Sequence, residues 1–169
     1  MSPFSVPQPA DSAKETISGR LDSPHGGLVL RPLELFVAED IPADLECLQH
    51  VLDQTGLPYH LTIARDGEEA KNLLRKEGKY AQAPNPDLIL LDMKMPKLDG
   101  PEVLNGVPGS ERMPICIVSS TERKYIEYEI PRHRHISYLL KPIDEKKLLS
   151  CFRSHAHLRP LVDQVSRGR

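Results

Sequence analysis

The chain has 169 residues, 39 % of them hydrophobic and 27 % charged, with a formal net charge of -2, the profile of an ordinary soluble globular domain. That balance, with Arg153, Arg159, Arg167 and Arg169 scattered rather than clustered, excludes a basic nucleic-acid or anionic-membrane surface. No apolar run approaches the ~20 residues of a membrane helix. The N-terminus lacks the basic head and apolar core of a signal peptide. Cys47, Cys116 and Cys151 stand far apart with no C-x-x-C pair, so the expectation is free thiols in a reducing cytoplasm, with Cys116 buried and inert.

Residues 1–28 are rich in Pro, Ser and Gly without an apolar period and are expected to form a flexible tail. A strand–helix rhythm then begins. "LELFVA" (Leu33–Ala38) reads as a strand, followed by a helix opened by Pro42 and stopped by Gly56. On it Leu45, Leu48, Val51 and Leu52 share one face, leaving Asp44 and Gln49 outward. The strand "YHLTIA" leads through Asp66-Gly67 to the helix "EEAKNLLRKEG", with Ala70, Leu73 and Leu74 inward. "DLILLD" passes through a Pro/Gly-rich loop to a short helix around Glu102–Asn105, and "PICIVSS" precedes a helical stretch near Glu122–Glu129. "HISYLL" meets Lys141-Pro142 and a helix over "DEKKLLSCFRSHAH", which Asp144 can cap. In the extension over residues 159–169 and just before it, Leu158, Leu161, Val162 and Val165 recur at near-helical spacing, and Pro160 is tolerable where a new helix begins.

Unbroken apolar strands alternating with helices imply an α/β fold with a parallel sheet covered on both faces. Such sheets bind ligands beyond the carboxyl ends of their strands. The residues found there are Glu39-Asp40, Asp92, Ser119-Ser120 and Lys141. Three carboxylates converging from two strand ends repel one another, by ~4 kcal/mol per pair at ~4 Å and an effective dielectric near 20. A hard divalent cation removes that cost, and Mg²⁺ takes such a ligand set. Lys141 and Ser119 complete a pocket for a phosphoryl group, one by pairing with its oxygens and the other by donating a hydrogen bond.

Together "VAEDIPAD", "LILLDMKMPKLDG", "ICIVSS" and "YLLKP" resemble the motif set of response-regulator receiver domains, over roughly Arg31–Leu158. The resemblance implies a flavodoxin-like doubly wound fold of five parallel strands ordered 2-1-3-4-5, with the receiver domain over residues 29–158. It also implies phosphorylation of Asp92 by a histidine kinase in a two-component phosphorelay. Carried over residue by residue, Asp92 is the nucleophile, and Glu39 and Asp40 hold Mg²⁺ with Asp92. Lys94 sits where the family offers a backbone carbonyl to the metal, Ser119 and Lys141 bind the phosphoryl group, and Tyr138 is the aromatic switch. The bond before Pro142 is one the family commonly holds in cis.

The connection "RKEGKYAQAPNPDLILLD" is similar to that of small response regulators paired with phytochromes. That points to a bacterial phytochrome kinase as partner and a homodimer through the fourth helix, fifth strand and fifth helix, with the C-terminal extension as an arm. Large side chains at Tyr125, Ile126 and Tyr128 add to that expectation. The short tail after the last helix leaves no room for an output domain, so the reading is a single-domain regulator, not an enzyme beyond turning over its own phosphate. Two other readings stand beside it: a receiver-like interaction module that never turns over phosphate, and a phosphatase using Asp92. The phosphatase would want a second carboxylate two residues on, where this chain has Lys94. His133/His135 and His155/His157 have H-x-H spacing but do not obviously converge on a metal.

Overall fold

The computed structural model describes residues 16–18, 31–126 and 136–167. Most of the expected tail, and the stretch holding Tyr128, His133 and His135, lie outside them. Among the described residues six strands form one sheet: β1 (Thr16–Ser18), β2 (Leu33–Ala38), β3 (Tyr59–Ala64), β4 (Leu88–Asp92), β5 (Ile115–Ser119) and β6 (Ile136–Leu140), in the order β1-β3-β2-β4-β5-β6. The five expected strands are all parallel and, counted alone, run 2-1-3-4-5. The sixth is an addition. β1 comes from the stretch read as tail and pairs antiparallel with the edge strand β3, Thr16 opposite Thr62. Three residues without an apolar period carry no strand signature, so only the backbone pairing reveals it.

The helices are α1 (Pro42–Thr55), α2 (Gly67–Arg75), α3 (Gly100–Asn105), α4 (Arg123–Ile126), α5 (Glu145–Ser154) and α6 (Arg159–Arg167). Their ends follow local chemistry. Pro42 occupies the first turn of α1, and Gly56 closes it at φ 68°, its N–H donating to the Asp53 carbonyl. Asp66 and Asp144 cap α2 and α5 by accepting from the Glu69 and Lys147 amides. Asp99 and Glu102 form a reciprocal capping box on α3.

Alternation along β2 divides the core. Leu33, Leu35 and Val37 face one layer with Leu45, Leu48 and Leu52 of α1 and Leu148 and Phe152 of α5. Phe36 and Ala38 face the other, with Ala70 and Leu73 of α2 and Val103 and Leu104 of α3. β4 and β5 are buried along their whole length, as expected of central strands covered on both faces. α2 approaches the loop after β4 so closely that a Cβ on Gly67 would lie 1.9 Å from the Leu98 carbonyl oxygen.

α5 stops at Ser154, three residues before the end of the expected helix. His155 turns to extended backbone and the chain folds back into α6. Val162 is fully buried and Leu161 and Val165 pack against the α1/α5 layer, while Arg153 reaches Asp163 at 3.1 Å and Ser166 at 2.7 Å. The apolar spacing of the extension therefore serves this chain's own core. Among the described residues no helix is long and apolar enough to cross a membrane.

Candidate functional site

β2, β4, β5 and β6 end at one edge of the sheet. The register pairs Ala38 with Leu91, Asp92 with Val118 and Ser119 with Leu140. The residues just beyond, Glu39-Asp40 and Lys141, must therefore share that edge with Asp92. One carboxylate oxygen from each of Glu39, Asp40 and Asp92 lies within 4.8 Å of the others. Glu39 and Asp92 are buried, and Asp40 Oδ1 is a buried oxygen without a hydrogen-bond partner. Leaving a carboxylate oxygen so placed is costly unless something positive meets it. These three acids fit a hard divalent cation on that ground.

Lys141 brings a positive charge to their centre. Its Nζ donates to Glu39 Oε2 at 2.7 Å, to Asp44 Oδ2 at 2.6 Å and to Asp92 Oδ2 at 3.4 Å. The Lys141-Pro142 bond is cis. Burial works to lower the lysine's pKa, but the hydrogen bonds to Asp44 and Glu39 and the charge of Asp92 outweigh it and raise it. For Glu39 burial dominates and raises the carboxyl, against the hydrogen bonds from Lys141 and the Ile41 amide. Asp92 is likewise raised by burial, with Lys141 and the Lys94 amide pulling the other way. The site thus holds more negative charge than its lysine neutralises.

The remaining predicted residues sit around this centre. The Ser119 hydroxyl is buried and accepts from the Thr121 amide at 3.0 Å, while its carbonyl accepts the Lys141 amide at 2.8 Å. Lys94 turns its amide toward Asp92 Oδ1 at a long 3.4 Å. Its side chain is exposed. Tyr138 is half-buried, with the Arg123 guanidinium 4.5 Å above its ring. Asp44, assigned to the outward face of its helix, is the residue that sequence reasoning missed. It lies in the first turn of α1, beyond the Ile41 cap, and joins the site through Lys141.

Residues 35–153 match the response regulator receiver domain family. The chain belongs to that family. It is 35 % identical over 96 residues to response regulator Rcp1 of Synechocystis sp. (strain ATCC 27184 / PCC 6803 / Kazusa), covering 55 % of this chain and 65 % of Rcp1. The aligned part thus spans just under two thirds of that relative's length. Among solved structures, the phosphorylated cyanobacterial phytochrome response regulator RcpA is similar at 32 % identity and a TM-score of 0.58, covering 80 % of this chain and 89 % of RcpA. The bacteriophytochrome response regulator AtBRR is similar at 27 % identity and a TM-score of 0.64, covering 75 % of this chain and 94 % of AtBRR. A Mn²⁺-bound form of Rcp1 matches at 30 % identity and a TM-score of 0.58, covering 74 % of this chain and 91 % of that chain. The receiver fold and the likeness to phytochrome-associated regulators both stand.

Proposed function

We propose that the chain is a response regulator that accepts a phosphoryl group on Asp92 from a histidine kinase and signals by protein contact. The observation that carries this reading is the charge arrangement at the sheet edge. An unpartnered Asp40 oxygen and the buried carboxylates of Glu39 and Asp92 stand around a single lysine shared among acids. An Asp92 oxygen attacks the phosphorus of a phosphohistidine as the P–N bond breaks, and the imidazole leaves with a proton. Asp40, Asp92, Glu39 and the Lys94 carbonyl would hold Mg²⁺, which would neutralise charge on the phosphoryl oxygens. Lys141 leaves its acid partners to pair with one of those oxygens, and the Ser119 hydroxyl, whose own hydrogen is unused toward Thr121, donates to another. Tyr138 then turns inward beneath Arg123 and reshapes the face of α4, β6 and α5.

The long connection before β4 and the likeness to RcpA and AtBRR support a phytochrome-type kinase as donor, acting in the cytoplasm. They also support a homodimer through α4, β6 and α5, where Tyr125 and Leu140 are exposed. Because Val162 is buried in the chain's own core, truncation after His157 is expected to lower monomer stability as well as alter pairing. Light scattering beside a melting curve separates the two effects.

The test of the reading itself is incubation with Mg²⁺ and acetyl phosphate or phosphoramidate, followed by peptide mass spectrometry. A phosphoryl adduct on Asp92 that then decays is expected. No adduct would leave a constitutive interaction module, and many turnovers without decay of activity would indicate a hydrolase.

A further inference from the structure

The cysteines that stand 35 residues apart in the chain meet in the fold. Cys116 Sγ, on β5, and Cys151 Sγ, on α5, are 2.8 Å apart. Both are buried. They are not surrounded by hydrocarbon alone. The β5–β6 register sets Ser137 beside Cys116. The Ser137 hydroxyl lies 3.2 Å from Cys151 Sγ and 2.8 Å from His155 Nε2. His155 is itself buried, at the turn that ends α5. An inert core thiol needs no such polar chain, whereas a thiol that must lose a proton does.

We propose that Cys116 and Cys151 are a reversible disulfide site, closed by hydrogen peroxide, with Cys151 reacting first and Cys116 resolving. The Cys151 thiolate attacks one peroxide oxygen, the O–O bond breaks, and the departing hydroxide takes up a proton, leaving a sulfenic acid and water. The Cys116 sulfur then displaces the sulfenic hydroxyl, which leaves as a second water with the Cys116 proton. Two thiols are oxidised to one disulfide and one peroxide is reduced to two waters. The sulfurs need to close by about 0.8 Å to reach the ~2.05 Å of a disulfide bond.

The order of reaction follows from the surroundings. Burial holds the Cys116 thiol well above its usual value, whereas contact with Cys116 lowers the Cys151 thiol against its own burial, helped by His155 and Ser137. Cys151 also lines the groove over β6 and α5 with Ser150 and Ser154, a route for a peroxide-sized molecule. The bond would enclose Ser119, Tyr138 and Lys141 within one covalent loop, tying α5 to β5 on either side of Tyr138.

The full chain is treated with hydrogen peroxide, denatured, alkylated with N-ethylmaleimide and mapped by mass spectrometry. A Cys116–Cys151 cross-linked peptide is expected, lost on adding dithiothreitol, while exposed Cys47 remains alkylatable at that dose. Ser137→Ala and His155→Gln should each slow cross-linking, by roughly tenfold. Asp92→Asn should form the bond at the unaltered rate, which separates this site from phosphorylation. Oxidation of Cys47 with Cys116 and Cys151 still alkylatable, or a link only between chains, would overturn the proposal. So would over-oxidation of Cys151 without a link. Cys151→Ala should abolish the cross-link, and should that variant not fold, the wild-type map decides alone.

Discussion

Replacing Asp92 by Asn removes one negative charge from a site that holds too many, so in the absence of divalent cations the variant should be more stable than the parent. The Asp92 carboxylate faces those of Glu39 and Asp40 with oxygens within 4.8 Å, and each repulsion is at least about 3.5 kcal/mol at an effective dielectric near 20. Against these stands one attraction, to Lys141 Nζ at 3.4 Å, of about 5 kcal/mol on the same scale. The lysine is shared with Glu39 and Asp44 at shorter distances, which dilutes that attraction. Burial further disfavours the charged form. The net is a destabilisation of at least about 2 kcal/mol, equivalent to a rise of roughly 4 °C or more in melting temperature for Asp92→Asn in chelator. With Mg²⁺ the sign reverses, since the parent gains a ligand that the variant lacks. The assay is a pair of melting curves for each protein, in EDTA and in millimolar Mg²⁺. A variant less stable than the parent in EDTA, or one with the parent's full gain from Mg²⁺, would refute the electrostatic account.

Asp44→Asn should free Lys141 for Asp92. Asp44 is about one-third exposed, so its hold on the lysine is worth no more than ~1 kcal/mol, and phosphorylation by acetyl phosphate should quicken by up to about fivefold. Raised Glu39 and Asp92 carboxyls contribute stability that is present below their unfolded values and lost as pH rises through their folded ones. In chelator, the melting-temperature difference between Asp92→Asn and the parent should therefore widen as pH climbs out of the ordinary carboxylate range. Asp66, Glu69 and Asp87 are lowered and act with the opposite sign in both proteins, so a difference that stays flat would contradict the assignment. Gly67→Ala places a methyl 1.9 Å from the Leu98 carbonyl oxygen and should cost about 3 kcal/mol or more in a urea titration. Lys94→Asn should change the decay rate of the aspartyl phosphate while leaving its formation intact, and half-lives equal within error would make Lys94 a bystander.

The parts of the fold readable from sequence were those whose pattern is dictated by burial. β4 and β5 read as continuous apolar runs because both of their faces are covered. The α1, α2 and α5 faces were legible because their buried residues recur every three or four positions. Glu39, Asp40, Asp92 and Lys141 were legible because charged residues at the ends of such strands need a reason. What escaped has no periodic signature. β1 is held by backbone pairing, Asp44 becomes a site neighbour through the side-chain reach of Lys141, and Cys116 meets Cys151 only once α5 lies across β5. Long-range pairs carry no local pattern. Even so, the apolar spacing of the extension is legible as a helix, and its buried face completes the α1/α5 layer.

The contacts of Lys141 also constrain where a phosphorylation signal can start. Its amide is bonded to the Ser119 carbonyl, and the Lys147 ammonium donates to the Pro142 carbonyl at 2.7 Å and to the Leu140 carbonyl at 3.3 Å. The backbone around the lysine is thereby pinned from both sides, so its side chain can swing from Asp44 to a phosphoryl oxygen without moving β6. Ser119 is placed differently. Its hydroxyl accepts from the Thr121 amide, at the start of the segment that leads into α4, where Arg123 covers the Tyr138 ring. Under the proposed function, drawing that hydroxyl toward a phosphoryl group would pull on the Thr121 amide and on the segment that places Arg123 over the ring. On this reading Lys141 stabilises the charge and Ser119 moves the chain, so replacing the serine should uncouple phosphorylation from the response of the α4–β6–α5 face.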